Sequence, residues 1–138
     1  MRSGLFSVRS LAIAAIALLV VVGVTAASVS VWQTQQQSRQ IARALTGGDP
    51  AAAPALLRRY GCAGCHTIPD IPGGDGQVGG SLADIKRRVY IGGVTTNTPD
   101  NLVRWIVSPQ TYSPRTAMPV TGISEADARH VAAYLYSH

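Results

Sequence analysis

With two cysteines in 138 residues the chain has no disulfide framework to rely on, and with three histidines besides it can assemble few metal sites. It shows no alternation of strand-like and helix-like periodicity, which removes the doubly wound α/β folds. No segment repeats, and none pairs credibly as strands. Charge is missing altogether from residues 10–38. The net charge of +5 includes Arg2 and Arg9, which precede that uncharged run, so the remainder carries +3. So small an excess suits weak steering towards an acidic partner patch and argues against nucleic-acid binding. The densest basic run, Lys86-Arg87-Arg88, reads first as a solvated face.

What occupies the uncharged run is apolar. Residues 11–32 are 22 positions dominated by Ala, Ile, Leu and Val, and as a helix they would measure about 33 Å against a hydrocarbon core of about 30 Å. Arg2 and Arg9 before them leave the N-terminus in the cytoplasm by the positive-inside bias, with Trp32 at the outer interface. A cleaved signal peptide is the alternative, since residues 11–24 suit an h-region and Thr25-Ala26-Ala27 a cleavage site. The retained anchor is the better reading, because apolar character continues past that site and ends at an interfacial aromatic before the polar tract 33–37. This divides the chain into a membrane anchor (1–32), a stalk or linker (33–48) with helical character near 41–45, and one small exported domain (49–138).

So short a domain buries little core unaided, and its two cysteines fall at Cys62-Ala63-Gly64-Cys65-His66. That spacing is the attachment pattern of a c-type haem. Two thiols three positions apart reach neighbouring vinyl groups on one porphyrin edge, and the next histidine turns under the ring as proximal ligand. A thioredoxin-like redox pair would expect a βαβ surrounding, which is missing. A zinc site would need two further ligands, and His130 and His138 lack ligand-pair spacing.

Around the motif the pattern predicts helices. A first one opens at Asp49 or Ala53, with Leu56, Leu57 and Tyr60 as apolar contacts up to Gly61; Pro54 favours the later start. A loop dense in Gly and Pro follows, and Leu82, Ile85 and Val89 recur at the steps of a short helix. Thr98-Pro99-Asp100-Asn101 is a capped helix start, with Leu102, Trp105 and Ile106 as its stripe and Ser108-Pro109 as its stop. Residues 124–137 form the last helix, capped by Ser124 with Asp127 completing an imperfect capping box and Ala128, Val131, Ala132 and Leu135 inward.

A six-coordinate haem needs a second ligand opposite His66, and a thioether suits electron transfer. The methionines are Met1 and Met118, and Met118 lies in an extended segment pinned by Pro114 and Pro119. We therefore expect Met118 to be the distal ligand, with His130 a solvated surface histidine and His138 a frayed terminus.

Taken together, these residues resemble the class I cytochromes c, and look like the bacterial membrane-anchored monohaem members associated with respiratory chains. The likeness covers nearly the whole exported domain: the haem motif, the Gly-rich loop, the Thr-Pro-Asp-Asn-Leu helix with Trp105, the Ala-Met-Pro loop at 117–119 and the Ala-Tyr-Leu helix at 133–135. The resemblance implies an all-α fold wrapped around one covalent haem c, with Cys62 and Cys65 in thioethers, His66 proximal and Met118 distal. Leu82 would line the haem, and Arg88, Tyr90 and Trp105 would be candidates for its propionates. The terminal helices would cross at Leu56, Tyr60, Tyr134 and Leu135. Similar proteins offer a Gly-Pro carbonyl to the proximal imidazole; here Gly80 stands where the proline is expected.

The function implied is one-electron carriage at the outer face of the inner membrane, on the periplasmic side, or in the soluble periplasm if the leader is cleaved. A quinol-oxidising complex would be the donor and a terminal oxidase the acceptor, with no bond chemistry on a substrate. The alternatives are a permanently bound haem subunit of an oxidase or dehydrogenase, and a gas-binding sensor with an open iron site.

Overall fold

The computed structural model describes residues 3–138, with side chains from Val8 onward; Arg2, the first of the two flanking cations, lies outside them. Among the described residues four α-helices form: α1 (Ser3–Thr46), α2 (Ala53–Arg59), α3 (Pro99–Val107) and α4 (Glu125–Ser137). The chain divides into two compact units, one ending at Gln36 and the other spanning Gln37–His138. The first is helix throughout its described length and is long and apolar enough to cross a membrane. From Val8 onward its large apolar side chains, Leu11, Ile16, Leu19 and Val24 among them, are exposed. A surface of that kind calls for a hydrocarbon environment.

The expected linker, 33–48, is not a linker in structure. Helix α1 runs on to Thr46, and inside the second unit its last turns are built in: Ala42 and Thr46 are each 1% exposed. Arg129 of α4 donates to the Thr46 carbonyl at 3.0 Å, which satisfies an acceptor that the helix end leaves open. Three residues on, the Asp49 N–H donates to His130 Nδ1 at 2.7 Å. His130 is therefore a tie between α4 and the end of α1, not the solvated histidine expected from its place off the apolar stripe. His138 is also ordered: it stacks on Tyr134 with ring centroids 3.9 Å apart and lies 3.8 Å from Asp70.

Helix α2 takes the late start, with Pro54 in its first turn, where the missing N–H costs nothing. Helix α3 is capped by Thr98 Oγ1, which accepts from the Asn101 N–H at 3.2 Å, and α4 by Ser124 Oγ, which accepts from the Asp127 N–H at 3.1 Å. The Asp127 carboxylate does not close a capping box. It accepts from Tyr60 Oη at 2.7 Å and so fastens the end of α2 to the start of α4. Leu57, Leu102, Val103, Val131 and Leu135, drawn from these three helices, form one core cluster, with Leu56 and Tyr60 packed against it.

The helix expected from Leu82, Ile85 and Val89 shrinks to a single 3-10 turn, Ile85–Arg87. Asp84 before it takes a left-handed conformation at φ 54°, and Val89 is 71% exposed. Three apolar positions fit a helix by spacing alone, but here the Ile85 and Arg88 carbonyls accept from the side chain of Asn97. Directly after comes a pairing that the sequence did not betray: strands β1 (Tyr90–Ile91) and β2 (Thr95–Thr96) are antiparallel, Tyr90 opposite Thr96 and Ile91 opposite Thr95. Two-residue strands carry no readable alternation. The available signal was Gly92-Gly93, whose φ of 56° and 72° a tight hairpin requires. A side chain on Gly92 would also meet Trp105, because a Cβ there would lie 2.7 Å from Cη2.

Candidate haem-binding site

The haem motif follows the left-handed Gly61 at the end of α2 and opens as a 3-10 turn, Cys62–Gly64. The N–H groups of Cys65 and His66 both donate to the Cys62 carbonyl, at 3.2 and 3.0 Å. That tight turn puts both sulfurs and the imidazole on one side of the chain. The thiols are free and half-buried. Burial pushes the Cys62 thiol above its ordinary range, the nearby Cys65 adds to this, and a backbone hydrogen bond works the other way. A redox-active pair needs a stabilised thiolate; this environment favours the neutral thiol.

His66 is held from behind. Its Nδ1 lies 2.6 Å from the Gly80 carbonyl, an acceptor, so Nδ1 carries the proton and the lone pair of Nε2 is left unprotonated. The expected bond is thus made even though glycine replaces proline. The preceding Gly79 allows it: its N–H donates to the Cys65 carbonyl at 2.7 Å, and a Cβ at this position would fall 2.4 Å from His66 Cε1.

These groups face a cavity of about 280 Å³ enclosed by α2, α3, α4, the hairpin and the loop before α4. Every residue singled out from the sequence lines it: Cys62, Cys65 and His66 on one side, Met118 in the loop, and Leu82, Arg88, Tyr90 and Trp105 around them. Leu57, Ile85, Leu102, Ile106 and Leu135 supply apolar wall. Arg88 donates to the carbonyls of Ser81 at 2.5 Å and Ala83 at 3.0 Å, which fixes its guanidinium at the cavity edge. Tyr90 is 58% exposed at the rim. Trp105 is half-buried, tilted at 48° to Tyr112. Met118 is held through its backbone: Thr116 Oγ1 accepts from its N–H at 3.3 Å, and Gln110 Nε2 donates to its carbonyl at 2.9 Å.

Asn97 also lines the cavity and went unnoticed in the sequence. Its amide donates to Ile85 and Arg88 and accepts from Tyr136 Oη at 2.6 Å, so it clamps the neck of the hairpin to α4. A lone asparagine between threonines reads only as a turn residue. Among the described residues no group of three or more His, Cys, Asp or Glu side chains is placed to hold a metal ion by itself. Two free thiols, an imidazole with one nitrogen committed, a thioether and apolar walls fit a covalent haem.

Comparison with known proteins bears on the same residues. The family model for cytochrome c matches residues 50–138. The chain is similar to cytochrome c oxidase subunit 2 of Alkalihalophilus pseudofirmus (strain ATCC BAA-2126 / JCM 17055 / OF4), 35% identical over 84 residues that make up 59% of this chain and 23% of that protein. The chain thus spans about a quarter of the length of that relative. No solved structure matches.

Proposed function

The chain belongs to the cytochrome c family, and from that membership we propose that it carries single electrons between membrane respiratory complexes, through a haem c whose iron is held by His66 and Met118. When bound, the haem iron passes between Fe(II) and Fe(III), taking or releasing one electron with no bond made or broken in a substrate. The residues supply the rest. Cys62 and Cys65 hold the macrocycle through thioethers, Gly80 orients His66, and the apolar walls keep water from the iron. One observation carries this reading: His66 and Met118 line the same cavity as both cysteines. Helix α1 supports attachment to the membrane, and the side proposed for the haem domain 49–138 is the periplasmic face of the inner membrane, from Arg2 and Arg9 ahead of the apolar run. The partners proposed are a quinol-oxidising donor and a terminal oxidase as acceptor.

Absorption spectra of the parent and of Met118→Ala test the ligand set. We expect the weak far-red band of thioether ligation in the ferric parent and its loss in the variant. A parent without that band, whose ferrous form binds carbon monoxide rapidly, would sink the carrier reading in favour of an open site.

The likeness to an oxidase subunit favours a second reading, in which the domain is a fixed haem subunit. Purification in mild detergent separates the two: a shuttle leaves other proteins at high salt, whereas a subunit co-elutes with a large complex.

A further inference from the structure

We propose that Gln110 is a positioning residue for the iron site, holding Met118 at ligand distance through its main-chain carbonyl. This rests on the reading of Met118 as the distal ligand. Gln110 sits on the 3-10 turn Pro109–Thr111 directly after α3. That turn is well anchored. Pro109 is fully buried, its carbonyl accepts from the N–H groups of Tyr112 and Ser113 at 3.1 and 3.0 Å, and the hydroxyls of Ser108 and Thr111 meet at 2.9 Å.

The Met118 loop has little support of its own. Residues 112–124 contain no helix or strand, and Ala117, Pro119 and Val120 around Met118 are exposed. The hydrogen bond from Gln110 Nε2 to the Met118 carbonyl, at 2.9 Å, therefore ties the ligand's own peptide to the end of a packed helix. A carbonyl accepts only, so the amide nitrogen must face it and Oε1 must point away. Oε1 is buried there with no hydrogen-bond partner among the described residues.

That orientation separates positioning from scaffolding. A buried acceptor lacking a partner destabilises a fold, so a purely structural role would favour an apolar side chain at 110. The one productive contact of the amide is with Met118. Replacing the amide with hydrocarbon should leave the domain as stable as before while releasing the ligand loop.

The test uses the full-length haem-loaded protein in three forms: parent, Gln110→Leu and Met118→Ala. Imidazole, which competes with a distal thioether, is titrated into each ferric form, and thermal unfolding is followed in parallel. Gln110→Leu is expected to bind imidazole roughly fivefold more tightly than the parent, the exchange value of one neutral hydrogen bond, with a weakened far-red band and an unfolding midpoint no lower. Met118→Ala should bind it more tightly still, with no band.

Unchanged imidazole affinity in Gln110→Leu, beside a responsive Met118→Ala, overturns the positioning role alone. Imidazole affinity and far-red band both unaltered in Met118→Ala would remove the ligand reading, and this proposal with it. A fall in the unfolding midpoint proportionate to the gain in imidazole affinity would assign Gln110 to the scaffold instead. Should Gln110→Leu fail to accumulate, Gln110→Met, unbranched and of similar length, serves under the same criteria.

Discussion

A methyl group added at position 79 would sit 2.4 Å from Cε1 and 2.6 Å from Nδ1 of His66. Nothing there can yield without turning the imidazole off the Gly80 carbonyl. We expect Gly79→Ala to lose about 1–3 kcal/mol by overpacking and to lower haem incorporation, measured by urea unfolding and by haem absorbance per chain; parent-like values in both would refute this. A second expectation concerns Tyr136, whose phenol is pushed up to about 12 by burial. A folded-state value above the ordinary 10 gives stability that is complete below pH 10 and is lost as pH climbs to 12. Over that window the parent should lose stability steadily, by less than the roughly 1.4 kcal/mol per unit of a wholly buried group, since Tyr136 is only partly buried. Tyr136→Phe lacks both the ionisation and the bond to Asn97, so it should be the less stable form at neutral pH and converge on the parent near pH 12. A gap between the two that stays constant from pH 8 to 12 would contradict the assignment. Of the residues lining the cavity, those legible from their own chemistry were the ones whose type is uncommon, two cysteines, a histidine beside them and a methionine between prolines, while Leu82, Arg88, Tyr90 and Trp105 were expected from the family resemblance. Asn97, which lines the cavity, and Gln110, which reaches Met118 from outside the lining, were not, because an amide's role depends on which carbonyl it meets, and neither partner lies in a pattern of fixed spacing.

The capped helices came through as their sequences promised. Thr98 and Ser124 each accept from the N–H three residues on, a contact settled within one turn. The elements misjudged are those whose shape is imposed by a partner. Ile85–Arg87 stays a single 3-10 turn: the Arg88 N–H closes it on the Ile85 carbonyl, Arg88 turns extended, and the Asn97 amide holds the chain there through the Ile85 and Arg88 carbonyls. The hairpin of β1 and β2 is two residues deep on each side and leans on Trp105 through Gly92. Likewise, the end of α1 looked like a stalk because Gln, Ala and Gly resemble a linker in composition. What makes it structure is Arg129 on the Thr46 carbonyl and His130 on the Asp49 N–H, contacts that span 83 and 81 residues.

The cavity of about 280 Å³ lies at the centre of a small domain whose apolar walls come from nearly every element of the second unit. Apolar walls left facing water forfeit roughly 25 cal/mol per Å² of burial, and a domain this small has little other core to offset the loss. The cofactor therefore acts as core. The variant Cys62→Ala/Cys65→Ala, unable to form thioethers, should lack a cooperative unfolding transition at 37 °C by circular dichroism; a transition matching the parent's would show that the protein core suffices. The sequence by itself determined the attachment motif with its adjacent histidine, the helix caps and the apolar N-terminal run, because each depends on residue chemistry within a turn or on a long unbroken composition. Folding in three dimensions settled which carbonyl steadies His66, which amide reaches Met118, where Tyr60 and Asp127 meet across 67 residues, and which side chain of α4 caps the Thr46 carbonyl. Those contacts close long loops, and no local periodicity encodes the partner at the far end.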